Sequence, residues 1–303
     1  MFMTQTQPTY ALELSGFAPD PDEMWERMTA FLLLDAATTR AMQRTSEVLL
    51  AAGAEFIVGT YNYLAQFEET AAVLGWEQKM DEAHLAERRQ FFATWMGRTI
   101  GVDFSDEFAA YLFNAGRWHA GHGPRAIHTP DMWIVGSIGH VQAHFARCIV
   151  TQFSNAELAS KAIGGWNKYL NLQLWQMLAG YRVALAVDDG PTAVEVRLFG
   201  RLRDLAGREK QMIRTYPGAA VRTPLIKFFD YYPRLRRDIL VPRWVSPEDN
   251  GAATWTTDFK RVFTPREGPD WRLLLNGKDL RFHGGLETPV QAGDVLSLFP
   301  PGR

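Results

Sequence analysis

From about residue 35 to residue 185 the apolar positions recur every three or four residues. In "TTRAMQRTSEVLLAAGAEFIVGTYNYLAQF", Met42, Val48, Leu49, Ala52, Phe56 and Ile57 share one face of a 3.6-residue repeat. The stretches "AHLAERRQFFATWMGRTI", "SDEFAAYLFNAGRWH", "PDMWIVGSIGHVQAHFARCIV" and "SNAELASKAIGGWNKYLNLQLWQMLAGYRVALAV" have the same texture. Asp106 in "SDEF", Thr129 before Pro130, and Ser154-Asn155 before Glu157 are helix-start signals. At "DDGPT" the period changes from 3.6 to two. In "AVEVRLFG", Val194, Val196 and Leu198 alternate with Glu195 and Arg197, the pattern of a strand with one buried face. A short helix in "RLRDLAG", a strand near "KQMIRT", a helix through "RTPLIKFFDYYPRLRRDIL" and two final strands around "NGKD" follow. The pattern predicts an all-α domain over residues 1–187, a linker at 188–192 and a small α+β domain over 193–303. An insertion rich in Pro, Gly and Thr, at about 240–270, reads as a loop or irregular hairpin.

Composition narrows the classes of function. The chain has 303 residues, 47% hydrophobic and 22% charged, enough for two packed cores. A net charge of −2 gives no reason to expect a nucleic-acid partner. The one cysteine, Cys148, rules out an intramolecular disulfide and suits a reducing compartment. No basic-then-apolar leader stands at the N-terminus, and runs such as "FLLL" are too short to span a bilayer. A cytoplasmic protein away from membranes is the expectation. Nucleotide-binding, zinc-protease and C-x-x-C patterns are absent.

The candidate chemistry lies in "FNAGRWHAGHGPRAIHTPDMW", residues 113–133. His119 closes an apolar helical stretch flanked by Phe108, Tyr111, Leu112 and Ala115. A histidine so placed is either an ordinary core or surface group or an axial ligand to a haem iron. His122 is the rival ligand, but it follows Gly121 and precedes Gly123-Pro124, where the helix should already have ended. Further on, His140, His144 and Cys148 form a stripe on one helix face. Three ligands in a row on a straight helix cannot converge on one ion, so interface or solvent-facing histidines and a core cysteine are expected.

These segments, in this order, resemble the protoglobins and the globins of globin-coupled sensors. "QPTYALE" resembles the family's N-terminal extension, and "VGTYNYLAQFEET" the B helix with its distal tyrosine. "AHLAERRQFFATWMG" resembles the E helix, and "FSDEFAAYLFNAGRWHAG" the F helix with its proximal histidine. "PDMWIVGSI" and "GGWNKYLNLQLW" resemble helices G and H. The resemblance implies an all-α globin-like fold holding haem b. His119 would be the proximal iron ligand, Tyr61 the distal hydrogen-bond donor and Phe92 the aromatic residue of helix E facing the bound gas. It implies a diatomic ligand (oxygen, carbon monoxide or nitric oxide) and a homodimer through the globin domain. Thr60 departs from the bulky aromatic of some relatives, implying more open access.

Residues 193–303 resemble the MoaD-type small subunit of molybdopterin synthase, a sulfur carrier with a ubiquitin-like β-grasp fold. "VRLFGRLRDLAG", "YPGAAVRTPLIKFFDYYPRLR" and "LLLNGKDLRFHGGLETPVQAGDVLSLFPP" carry it. The family's Gly-Gly tail threads into a partner's active site, because glycine leaves a narrow channel clear. Here "SLFPPGR" offers Gly302 followed by Arg303, a cation that should prevent the usual thiocarboxylation. Docking onto the large subunit of molybdopterin synthase or an activating enzyme is retained as the expectation. Together the two resemblances imply a gas-binding haem module coupled to molybdenum-cofactor or sulfur-transfer machinery, more a sensor than an enzyme. The alternatives are a haem enzyme of oxygen, nitric oxide or peroxide chemistry, and a non-catalytic interaction protein.

Overall fold

The computed structural model describes residues 12–76, 79, 81–245, 260–266 and 271–300. Most of "QPTYALE", the tip of the insertion and the tail Pro301–Arg303 lie outside the described residues. Two compact units result: Pro21–Ala184, and a second made of Met1–Asp20 together with Leu185–Arg303.

The first unit is helical throughout its described residues. Its helices are α1 (Pro21–Phe31), α2 (Ala36–Gln43), α3 (Ser46–Leu64), α4 (Glu68–Leu74), α5 (Glu82–Ile100), α6 (Asp106–His119), α7 (Asp131–Gln152) and α8 (Ala156–Asp188). The long amphipathic pattern that opens the sequence is interrupted twice. Asp35 caps α2, accepting from the Thr38 amide, and the chain turns at Thr45 before α3 begins. A 103° bend then separates α3 from α4. The buried stripe of α3 is Leu49, Gly53, Phe56 and Thr60, and the Thr60 hydroxyl bonds back to the Phe56 carbonyl at 2.8 Å.

Helix α8 is the spine of this unit, with Trp166, Tyr169, Leu170, Gln173 and Gln176 fully buried. Its polar residues are tied to its neighbours. Trp166 donates to the Thr45 hydroxyl at 2.9 Å, while the Gln173 carbonyl oxygen accepts from Trp95 at 2.8 Å and Thr99 at 3.1 Å. Gln176 donates to the Ala109 carbonyl at 3.0 Å, which reaches α6. The contact between α6 and α8 is backbone to backbone. A Cβ on Gly116 would lie 1.8 Å from the Met177 carbonyl oxygen, and one on Gly180 1.9 Å from that of Phe113.

The second unit contains two sheets. The larger has the order β3 (Lys210–Thr215), β2 (Thr192–Leu198), β8 (Val295–Phe299), β6 (Arg272–Leu275), β7 (Lys278–Asp279). Its central pair, β2 and β8, is parallel and its other pairs are antiparallel. With α9 (Arg201–Ala206) and α10 (Arg222–Tyr231), this is the β-grasp arrangement. The sequence pattern runs one helix through Pro233, but the chain breaks at Tyr232 and restarts as α11 (Pro233–Ile239). Proline at the first helical position accounts for the break, since its ring leaves the preceding turn without a donor.

The smaller sheet has the order β1 (Leu14–Ser15), β5 (Lys260–Pro265), β4 (Leu240–Val245), all antiparallel. The insertion is therefore a hairpin, and its free edge is covered by the N-terminal arm. That arm, expected as an extension of the helical domain, packs within the second unit. Leu12 and Leu14 are buried, and Phe17 meets Phe229 and Phe263 edge-on at 6.2 and 4.8 Å. The Ala18 amide donates to both Asp230 oxygens at 3.0 and 3.1 Å. Arg236, 2% exposed, binds Asp230 at 2.6 Å, the Ala18 carbonyl at 3.1 Å and Asp20 at 3.3 Å.

Two outcomes test this packing. Gly116→Ala is expected to cost about 2–4 kcal/mol, because two backbones must separate to admit the methyl group; urea unfolding followed by helical circular dichroism reads it. Arg236→Ala should cost about 3–5 kcal/mol by removing the guanidinium that pairs the buried carboxylate of Asp230, read as a lower unfolding midpoint.

Candidate haem-binding site

Helix α6 begins where Ser105 accepts the Phe108 amide at 3.3 Å, with Asp106 and Glu107 in the first turn. It ends in a Schellman motif. Gly121 takes φ +96° and donates to the Trp118 carbonyl at 3.1 Å, and His122 donates its amide to Arg117 at 3.0 Å. His119 is thus the last residue of the helix, and His122 lies beyond it with its amide committed to the cap. The returning loop donates the Thr129 amide to the His119 carbonyl at 2.7 Å, fixing the helix end from the other side.

The His119 ring is oriented as well. Its Nδ1 stands 2.7 Å from the Ala115 carbonyl, one turn back. A carbonyl oxygen only accepts, so Nδ1 carries the proton and Nε2 keeps its lone pair. Desolvation holds the imidazole pKa below its usual value, the Arg88 charge adding to the effect, so the ring is neutral at pH 7. A neutral, oriented imidazole with a free nitrogen is the donor that a haem iron takes.

Tyr61 and Phe92 come together where α3 meets α5. Their rings meet edge-on at 6.1 Å, and Phe92 also stacks on Trp95 at 5.4 Å and lies 6.1 Å from Phe56. The Tyr61 hydroxyl donates to the Arg88 carbonyl at 2.9 Å, and burial pushes its pKa up to about 12. It is therefore a neutral donor under all ordinary conditions. Helix α5 connects the two sides. Phe91 meets Trp118, the neighbour of His119, at 5.8 Å, and the Arg88 charge acts on both Tyr61 and His119. Phe91 and Trp118 remain 36% and 40% exposed, an apolar rim between α5 and α6 that a flat, hydrophobic macrocycle would cover. Donor, rim and neutral tyrosine fit a haem.

His140 and His144 behave differently. His144 stacks on Phe56 at 3.9 Å and lies 3.5 Å from the Cys148 sulfur, while His140 stacks on Tyr63 at 5.4 Å. Among the described residues no three His, Cys, Asp or Glu side chains form a metal-binding group. Sequence reasoning missed Trp95, Gln173 and Gln176, which hold α5 against α8, and Arg88 and His84 of α5. For the latter pair the i, i+4 spacing on an otherwise amphipathic helix was the available signal.

The family model named Protoglobin matches residues 22–185, more than half of the chain. The chain belongs to the protoglobin family. Among solved structures, the globin domain of a globin-coupled sensor from Geobacter sulfurreducens matches 52% of this protoglobin chain and 97% of its own. The identity is 15% and the TM-score 0.43. The small archaeal modifier protein 1 of Methanosarcina acetivorans matches 36% of this chain and 93% of its own, at 25% identity and a TM-score of 0.26. No curated protein matches. Among the described residues of this protoglobin, no single helix is long and apolar enough to cross a membrane.

Tyr61→Phe removes one hydrogen bond to the Arg88 carbonyl, an acceptor that lies within a helix. A loss of about 0.5–1.5 kcal/mol is expected, measured as the urea midpoint of the helical unit without haem.

Proposed function

We propose that this protoglobin binds haem b between α5 and α6, with His119 as the residue that would hold the iron, and takes a diatomic gas: oxygen, carbon monoxide or nitric oxide. The observation that carries the reading is the 2.7 Å contact from His119 Nδ1 to the Ala115 carbonyl, which leaves Nε2 as an unprotonated ligand at the end of a doubly fixed helix. Haem, when bound, would supply an iron able to take a diatomic gas. His119 holds the iron and is kept from rotating by the bond to Ala115. Tyr61 is the donor to the gas, and Phe92 excludes water beside it. The hydroxyl of Tyr61 has one proton to give, so a bound gas competes with the Arg88 carbonyl for it. Gas binding would thereby be felt by α5.

The second unit is proposed to report that state to a protein of the molybdopterin-synthase or activating-enzyme type. Support comes from the path of the chain, which leaves the second unit at Asp20, builds the globin and re-enters at Leu185 within the unbroken helix α8. A homodimer through α7 is proposed on the exposed stripe of Met132, Val135, Gly136, Gly139 and Val150.

Purified protein, reduced and exposed to carbon monoxide, should show a shifted Soret band. His119→Ala should lower haem occupancy at least about tenfold, or ~1.4 kcal/mol. Well-folded wild-type protein that stays colourless on titration with hemin would end the proposal. Tyr61→Phe should weaken oxygen binding by about one to two decades, a hydrogen bond of roughly 1–3 kcal/mol, measured by oxygen titration of the ferrous protein. Partner affinity that is the same with and without carbon monoxide would remove the coupling.

A further inference from the structure

Three buried side-chain nitrogens, at and just before the start of α5, have no hydrogen-bond partner among the described residues. Trp76 is 6% exposed and His84 3%, and their rings meet edge-on with centroids 5.7 Å apart. Indole Nε1 of Trp76, imidazole Nε2 of His84 and Nε of Arg88 are each shut off from solvent and without a hydrogen-bond partner. Arg88 lies one turn beyond His84 on the same face of α5, and its charge acts on the imidazole. It forms no ion pair among the described residues.

Two nearby acids, Asp81 and Glu87, are committed elsewhere. Asp81 caps the helix by accepting the amides of Ala83 and His84 at 3.0 and 3.1 Å, and Glu87 pairs with Arg125 at 2.6 Å. Desolvation and the charges of Arg88 and Arg125 hold the His84 pKa down, against smaller opposing effects of Glu87 and Asp81. Leaving a buried donor unpaired is costly, and an indole N–H and a guanidinium together offer more donors than the single lone pair of one neutral imidazole can accept. Such a set complements an oxyanion, whose several lone pairs accept from Trp76 and Arg88 and from His84 in its Nε2-protonated tautomer. The cluster also adjoins the proposed haem site. Tyr61 packs against Trp76 and Leu85, and the Arg88 charge reaches His119.

We propose that Trp76, His84 and Arg88 form an oxyanion-binding site at the edge of the haem pocket. The shared chemistry is an anionic group with two or three acceptor oxygens. It comes from one of two sources: a carboxylate of the haem itself, or a free inorganic oxyanion held beside it. The proposal rests on the haem reading for the first source and stands without it for the second.

The test uses the full chain and the variants Arg88→Gln, Arg88→Lys and Trp76→Phe. In the first arm, haem loss to an excess of acceptor apoglobin is timed with ordinary haem and with its dimethyl ester. A haem carboxylate predicts loss at least about tenfold faster in Arg88→Gln and severalfold faster in Trp76→Phe. Arg88→Lys should recover most of the difference, and with the ester all four proteins should behave alike. In the second arm, haem-free protein is held at constant ionic strength while nitrate or phosphate replaces chloride. A free oxyanion predicts a higher unfolding midpoint in wild type and none in Arg88→Gln, with a shifted His84 ring resonance in wild type. The resonance needs no variant, so it decides even if a substitution harms folding. Equal haem-loss rates together with an unmoved resonance and midpoint overturn the proposal. Wild-type protein that takes up no hemin overturns the haem reading and leaves the second arm to decide the site.

Discussion

In the helical unit two glycines let a pair of helix backbones touch. At Gly116 and Gly180 the backbones of α6 and α8 touch, with no room for even one methyl group on either side. This contact sets the height of α6 along α8, and three residues later α6 ends at His119. Gln176 reinforces the alignment by donating to Ala109, while Gln173 holds Trp95 and Thr99 of α5. The buried amides of one helix thus fix both walls of the proposed pocket. Backbone contact is stiff because neither partner has a rotamer to change. The imidazole inherits that stiffness, and its Nδ1 bond to Ala115 removes the remaining freedom of the ring.

The two sides of the site differ in how firmly they are held. On the His119 side, the Schellman cap, the Thr129 amide and the Ala115 carbonyl form a closed set of bonds. On the Tyr61 side, one hydroxyl shares a carbonyl that belongs to a helix, and Trp76 Nε1, His84 Nε2 and Arg88 Nε have no hydrogen-bond partner. Rigidity where the iron would be held, and spare hydrogen-bonding capacity where ligands would arrive, suit a protein that binds reversibly. Buried polar groups left without partners beside a candidate pocket are a reason to look for a ligand that pairs with them.

Much of this was legible in the residues themselves. The end of α6 could be read from Ser105, the acidic first turn and Gly121, because capping is local chemistry. The strands of the second unit could be read from the alternation of Val194, Val196 and Leu198 against charged neighbours. The roles of Gly116 and Gly180 were not legible, since a glycine inside a helix looks like a weak point until the neighbouring backbone is in view. The clustering of Trp76 with His84 depends on a turn between α4 and α5 that periodicity does not encode. Pro233 did carry its signal, and the apolar residues on both sides of it concealed the break between α10 and α11.

The arm that covers β5 makes the second unit discontinuous in sequence, with the whole globin spliced between its first strand and its remainder. Separating the halves at Leu185 would therefore be uneven. The helical half would lose only the last turn of α8, whereas the carboxy-terminal half would lose β1 and bare the backbone edge of a hairpin. Its Arg236 would lose Asp20 and the Ala18 carbonyl, and Phe263 its ring partner. An open edge beside apolar side chains is a template for self-association, so the natural cutting point for dissecting this molecule is not where the helices stop and the strands begin.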